Sequence, residues 1–317
     1  MFQQDSPSQR SEPSFRLYSL NTAQYSPATV PQSKRIHVHT LALSAKIPVI
    51  DFGGEGELVL FSHANGYPPG VYRQLLESLT PHYRVLAVEH RPLWQDDPAG
   101  LESWQQFADD VIELLDELGE PVHGFGHSMG GSTLLLVAER RPDAFRSLAL
   151  MEPVLLPSLW QFGLRQVGKF FPQKVPPIQR ALNRVDRWDS EQAVYAHFRP
   201  KAVFRGFSDE ALWDLVSHST RASEHGGVTL RFSKEWEARC YALVHNVWPS
   251  LRRLRAPLIG FRGAKSNTLA PREWKRWQAL RPEGCFHLIE DSGHLLPLES
   301  PKLISQHYLA WQQRLTN

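Results

Sequence analysis

The chain is poor in the features that announce a specialised class. Only two of its 317 residues are cysteine, Cys240 and Cys285. They make neither a C-x-x-C pair nor the spacing of a disulfide framework, so free thiols in a reducing compartment, the cytoplasm, are expected. No apolar run approaches the roughly 18 residues that a membrane span requires, and no span is expected. The stretch Met1–Arg10 lacks an apolar h-region and does not read as a secretory signal. Neither sign of charge is in excess: 35 Lys and Arg face 33 Asp and Glu, for a net charge of +2. The basic residues are scattered, without the stripe that a nucleic-acid partner needs.

What is present is ordinary globular material, 42% apolar, enough for one large domain or two small ones. Residues 1–34 are rich in Ser, Pro and Gln and read as a disordered or loosely packed extension. From Arg35 onward strands are expected at 35–43 and 46–52, where Ile36 and Val38 alternate with His37 and His39. That alternation is the mark of a half-buried strand, and the histidines are read as its solvated face; no metal is expected. A nearly continuous apolar run at 57–63 reads as a strand buried on both faces, 83–90 as another buried strand, and 147–153, 257–263 and 285–290 as further strands. Helical spacing separates them, at 71–79, 101–118, 132–140, 271–280 and 302–315. Alternating strands and helices imply a parallel sheet covered on both sides. Between 154 and 250 the alternation stops. Aromatic residues such as Trp160, Phe162, Trp188, Phe198, Trp213 and Trp236 lie there on helix-like segments. The expected organisation is therefore a core of 35–153 and 251–317 with a helical cap, 154–250, inserted after the sixth strand.

The chemistry centres on Gly126-His-Ser-Met-Gly130. A strand runs into a helix here with Ser128 at the turn. The flanking glycines let strand and helix approach closely, and the helix start offers free N–H groups to developing negative charge. A serine hydroxyl needs a base. The chain holds 14 histidines, so position must choose among them. His294 follows the last strand, and loops at the C-terminal ends of parallel strands share the edge that carries Ser128. His127 neighbours Ser128 but points away along the turn. An oxyanion hole needs two N–H groups. Met129 supplies one, and the loop His63-Ala-Asn-Gly66 supplies the other from Asn65, with Tyr67 as the alternative.

These motifs together resemble the α/β-hydrolase family, over about residues 35–315. The resemblance implies an eight-stranded, mostly parallel sheet flanked by helices and a triad in the order Ser…acid…His. The family most often places the acid in the loop after the strand Leu258–Gly263. Here that loop reads Gly263-Ala-Lys-Ser-Asn-Thr-Leu269, with Ser266 or Asn267 where a carboxylate is usual. A second family placement, at the end of the strand after the nucleophile helix, corresponds to Glu152, and the resemblance makes Glu152 the partner of His294. Asp291 reads as a turn-former. The serine argues against dehalogenase and epoxide-hydrolase chemistry, which would need aspartate there. The expected activity is hydrolysis of a small or medium carboxylic ester, or a related acyl compound, with an apolar part and without a cofactor. The same residues could cleave an amide or C–C bond or transfer an acyl group, and a non-catalytic binding protein is the reading from another class. Trp94, Trp160 and Phe162 are candidate pocket walls.

Overall fold

The structure is a computed structural model that describes residues 39–40, 47–157 and 174–316. The expected N-terminal extension, Trp160 and Phe162 lie outside the described residues.

In chain order the first strands are β1 (His39–Thr40), β2 (Val49–Gly53), β3 (Leu58–Ser62), β4 (Arg84–Val88), β5 (Val122–His127) and β6 (Phe145–Met151). Three short strands follow, β7 (Arg187–Trp188), β8 (Thr220–Ala222) and β9 (Val228–Leu230), then β10 (Leu258–Gly263) and β11 (Cys285–Ile289). Eight of them form one sheet in the order β1-β2-β4-β3-β5-β6-β10-β11. β2 pairs antiparallel with β1 and with β4, and the remaining pairs are parallel. This is the α/β-hydrolase fold that the sequence resemblance implied.

The double-sided burial is written in the strands with period two. Leu60, Leu86, Leu148 and Leu150 face a core that takes Phe107, Val111 and Leu114 from the helix Gln105–Leu118 and Leu134 from the helix Met129–Arg140. Val59, Phe61, Val85, Ala87, Ala149 and Met151 face the opposite core, with Leu75, Leu76, Ile304 and Tyr308. Each such side chain contributes about 1.5–3 kcal/mol on burial, which is why the run of neighbouring residues holds a two-faced sheet rather than a half-exposed one.

Within the stretch expected at 154–250, and running just past it, lie the helices Pro176–Leu182, Glu191–Phe198, Asp209–Ser219, Lys234–Ala242 and Trp248–Arg253. The expectation of helices alone needs one correction. β7, β9 and β8 join in a small antiparallel sheet. Strands of two or three residues are too short to show a period, and their pairing across a Gly226-Gly227 turn is visible only in three dimensions. This stretch touches the loops that follow the parallel strands of the main sheet: the Asn65 side-chain N–H donates to the Glu237 carbonyl at 3.1 Å, and Arg231 pairs with Glu89 at 2.9 Å.

The register aligns the strand ends. Ser62 lies opposite Gly126, His127 opposite Met151, Phe261 opposite Met151 and Gly263 opposite Ile289. The loops that follow β3, β5, β6, β10 and β11 therefore leave the sheet along one edge.

Candidate active site

Ser128 is the first residue beyond β5 and the N-cap of the helix Met129–Arg140, at φ 52° and ψ −115°. A non-glycine residue rarely adopts this conformation, and it persists only where its surroundings enforce it. The enforcement is visible. The Ser128 N–H donates to the Met151 carbonyl at 2.9 Å, and its carbonyl accepts from the Ser132 N–H at 3.0 Å. The two glycines have separate tasks. A Cβ on Gly126 would lie 2.7 Å from Gly131 Cα, and one on Gly130 would lie 2.0 Å from the Ser62 carbonyl oxygen. The first lets helix and strand meet, and the second lets the helix start rest on the end of β3.

His294 comes from the loop after β11. Its Nε2 is 3.1 Å from Ser128 Oγ, and its Nδ1 is 2.8 Å from Glu152 Oε2. Glu152 follows β6 directly, is fully buried, and has a positive φ of 48°. Among the described residues, Ser128 and Glu152 alone combine a side chain with positive φ, so the backbone bends sharply at both ends of this hydrogen-bonded line. Glu152 Oε1 accepts from the Gly263 N–H at 3.0 Å, and Oε2 also accepts from Ser266 Oγ at 2.6 Å. Hydrogen bonds to the charged form are what make a buried carboxylate tolerable. Ser266, at the family's more usual acid position, is thus joined to the carboxylate that stands elsewhere. Asn267 is exposed, its side chain accepting from Thr268 Oγ1 at 3.5 Å, and Asp291 is exposed and paired with Lys265 at 3.1 Å.

The loop after β3 lies against the start of the nucleophile helix. Ala64 receives hydrogen bonds at its carbonyl from the Tyr67 N–H, 3.2 Å, and from His63 Nδ1, 2.8 Å. The Tyr67 amide is therefore occupied, which removes it as the alternative oxyanion donor. The Asn65 N–H has no acceptor among the described residues, and the Met129 N–H, in the first helical turn, has none within its helix. His63 is buried, which pushes its pKa down to about 4 and keeps the ring neutral beneath this loop. The loop that carries His294 is braced by Glu299, whose carboxylate accepts from the Gly293 N–H at 2.6 Å. Burial raises the pKa of Glu299.

Trp94 is half-buried, with its indole N–H on the Glu89 carbonyl at 2.9 Å. Tyr72 escaped the sequence reading, and Ser266 was read only as standing where a carboxylate is usual. Tyr72 and His127 carry no local signal of their pairing. His127 does point away from Ser128 Oγ; its ring bonds instead to Tyr72 and to the His294 carbonyl. Among the described residues no group of His, Cys, Asp and Glu is arranged to hold a metal ion, and no helix is long and apolar enough to cross a membrane.

A serine on a strand–helix elbow at the edge of a mostly parallel, helix-covered sheet defines an α/β hydrolase. The chain belongs to the alpha/beta hydrolase family, whose sequence profile matches residues 59–306. Among similar proteins, the uncharacterized hydrolase YugF of Bacillus subtilis (strain 168) is 23% identical over 240 residues, 74% of this chain and 82% of its own. The type I acyl-CoA thioesterase mpaH of Penicillium brevicompactum is 25% identical over 219 residues, 62% of this chain and 47% of its own, so the chain spans about half of that relative. In structure the chain resembles E-2-(acetamidomethylene)succinate hydrolase, with a TM-score of 0.73 at 20% identity over 84% of this chain and 95% of that one.

Proposed function

We propose that the chain is a serine hydrolase that cleaves a small or medium carboxylic ester, or a related acyl compound with an apolar part, through an acyl-enzyme. The observation that carries this reading is the unbroken line of hydrogen bonds from Ser128 Oγ through His294 to Glu152. Glu152 can only accept, so Nδ1 of His294 carries the ring proton and Nε2 has its lone pair free for the serine. Ser128 Oγ attacks the carbonyl carbon while Nε2 takes its proton. The Met129 and Asn65 N–H groups receive the charge that develops on the carbonyl oxygen. The tetrahedral adduct collapses, the C–O bond to the leaving group breaks, and Nε2–H returns the proton to that oxygen. Water then repeats the sequence on the acyl-enzyme and releases the acid. Glu152 stabilises the imidazolium of both halves without itself being protonated. The strained elbow supports the nucleophile assignment, since it presents Oγ to the base without a rearrangement.

A thioester is the second reading. The relative named as an acyl-CoA thioesterase favours it, and the same residues serve it with a thiolate as the leaving group. Free Cys240 and Cys285 support the cytoplasm as the compartment.

A fluorophosphonate probe should label wild-type chain and leave Ser128→Ala unlabelled. Initial rates on nitrophenyl esters and on matched acyl thioesters, across acyl chain lengths, then separate the two readings. A folded wild type that neither labels nor turns over any of them would refute hydrolysis in favour of a binding protein.

A further inference from the structure

The elbow histidine stands at the centre of a second, largely buried hydrogen-bond line. His127 Nε2 is 2.9 Å from the carbonyl oxygen of His294, and Nδ1 is 2.8 Å from Tyr72 Oη. The Ala64 N–H lies 3.3 Å from the same phenol oxygen. His127 is 0% exposed and Tyr72 1%. The direction of every bond is determined by chemistry. The His294 carbonyl can only accept, so Nε2 of His127 carries its proton. In the neutral ring Nδ1 is then an acceptor and takes the Tyr72 O–H. The phenol oxygen keeps a lone pair for the Ala64 N–H. No donor meets a donor anywhere along the line.

The line ties together three loops that meet nowhere else in sequence. Ala64 belongs to the loop that carries the Asn65 N–H. His127 is the last residue of β5, directly before Ser128. The His294 carbonyl belongs to the residue whose ring faces Ser128 Oγ. We propose that His127, held as its neutral Nε2–H tautomer, is a positioning residue that locks the backbone of His294 and, through Tyr72, the oxyanion loop against the nucleophile elbow. It touches no reacting atom. It acts by removing freedom from the two elements that must meet the substrate together. Misplacing a catalytic group by an ångström can lower the rate about 100-fold, so anchoring a base through its own main chain is worth a buried polar pair.

Burial drives the His127 pKa well below its ordinary value, and the neighbouring His294 lowers it further, which favours the neutral ring. Burial also raises the Tyr72 pKa, keeping the phenol a donor. The rings of His127 and His294 are centred 5.0 Å apart, close enough that a charge on His127 would oppose the imidazolium that catalysis forms. A neutral histidine supplies donor and acceptor here without that opposition.

This inference rests on the acyl-transfer reading, and two measurements keep the two apart. The first compares His127→Gln with His127→Asn. The Gln amide N–H can reach the place of Nε2–H, whereas the Asn side chain stops near Nδ1 and leaves the His294 carbonyl unbonded. On p-nitrophenyl acetate the Asn variant should lose about 30- to 100-fold in kcat with KM changed less than about threefold, and the Gln variant should recover to within about tenfold of wild type. Melting temperatures should fall by similar amounts in both. Equal kcat in the two variants, or losses that simply follow the melting temperatures, would overturn the positioning role. The second measurement needs no activity. In 15N-histidine-labelled wild type, the His127 ring should give the Nε2–H tautomer by two-bond 15N–1H correlation and stay neutral as pH falls through the ordinary histidine value of about 6.5. An Nδ1–H tautomer or a ring that charges near its ordinary value would refute the relay, whether or not Ser128 reacts with the phosphonate.

Discussion

Glu152→Gln is the substitution with the sharpest consequence. The wild-type carboxylate is fully buried and accepts from the Gly263 N–H at 3.0 Å, from Ser266 Oγ at 2.6 Å and from His294 Nδ1 at 2.8 Å. Glutamine replaces one oxygen by NH2, and either placement does damage. With the NH2 on the Gly263 side, it faces a backbone donor that cannot turn away, and a buried donor left unpaired costs about 1–3 kcal/mol. With the NH2 on the other side, Ser266 can rotate to accept, but His294 must present a bare Nδ1. Its proton then sits on Nε2, where it blocks removal of the serine proton. The second arrangement keeps the Gly263 hydrogen bond and pairs both amide hydrogens, and is the one the pocket selects. In serine triads a trapped wrong tautomer lowers kcat about 10⁴-fold, about 5 kcal/mol of transition-state stabilisation. The assay is kcat/KM on a short nitrophenyl ester, alongside the rate of fluorophosphonate labelling, with Asn267→Ala and Ser266→Ala as companions. Asn267→Ala should be silent, because the side chain is exposed. Ser266→Ala removes one neutral donor from a carboxylate that keeps two others, and should lower kcat about tenfold or less. A Glu152→Gln enzyme within about tenfold of wild type, or a large loss in Asn267→Ala, would refute the assignment of the acid.

Three further outcomes follow from the geometry. Gly130→Ala places a Cβ 2.0 Å from the Ser62 carbonyl, against backbone on both sides, so chemical denaturation should show a loss of about 1–3 kcal/mol together with loss of esterase activity. Arg73 links the core to the 174–253 stretch through Asp214, at 2.8 Å with side chains 6% and 1% exposed; Arg73→Met strands a buried carboxylate and should destabilise by about 3–5 kcal/mol, while Arg73→Met combined with Asp214→Leu recovers much of it. His63 has its pKa pushed down to about 4 by burial, so below the ordinary value of about 6.5 the unfolded chain binds a proton that the folded chain refuses. Stability from this residue should therefore decline as pH falls through the window between about 6.5 and about 4, by about 3 kcal/mol in all, and His63→Asn should flatten urea-unfolding free energies over that window by about one proton's slope.

Much of the molecule was legible from residue order because its causes are local. Runs such as Leu58–Ser62 alternate between two cores with period two, and a chain that buries both alternating sets can only be an interior strand. The elbow is local as well: five residues hold the end of β5, the serine and the helix start, with glycine at the two positions where a side chain would collide. His294 could be chosen among 14 histidines because parallel strands bring their C-terminal ends to one edge.

What tertiary structure alone decided were the meetings between distant loops. Glu152 and Ser266 are 114 positions apart, and His127 and Tyr72 are 55 apart. No periodicity or propensity links such pairs. Their contact depends on the register of β6 against β10 and on loops leaving a common edge. The three-stranded β7-β9-β8 sheet was hidden for the related reason that strands of two or three residues carry no pattern of their own. Trp94 illustrates the limit from the other side: an aromatic residue can be proposed for a pocket from composition, but the hydrogen bond that orients its ring is made by a backbone carbonyl five residues away. Sequence alone thus determined the main sheet, the serine elbow and the edge to which the parallel strands bring their loops, and the family resemblance offered Glu152 as the partner of His294. Only the packed chain brings the Gly263 N–H and Ser266 Oγ to that carboxylate, because hydrogen-bond partners and directions are properties of neighbours in space.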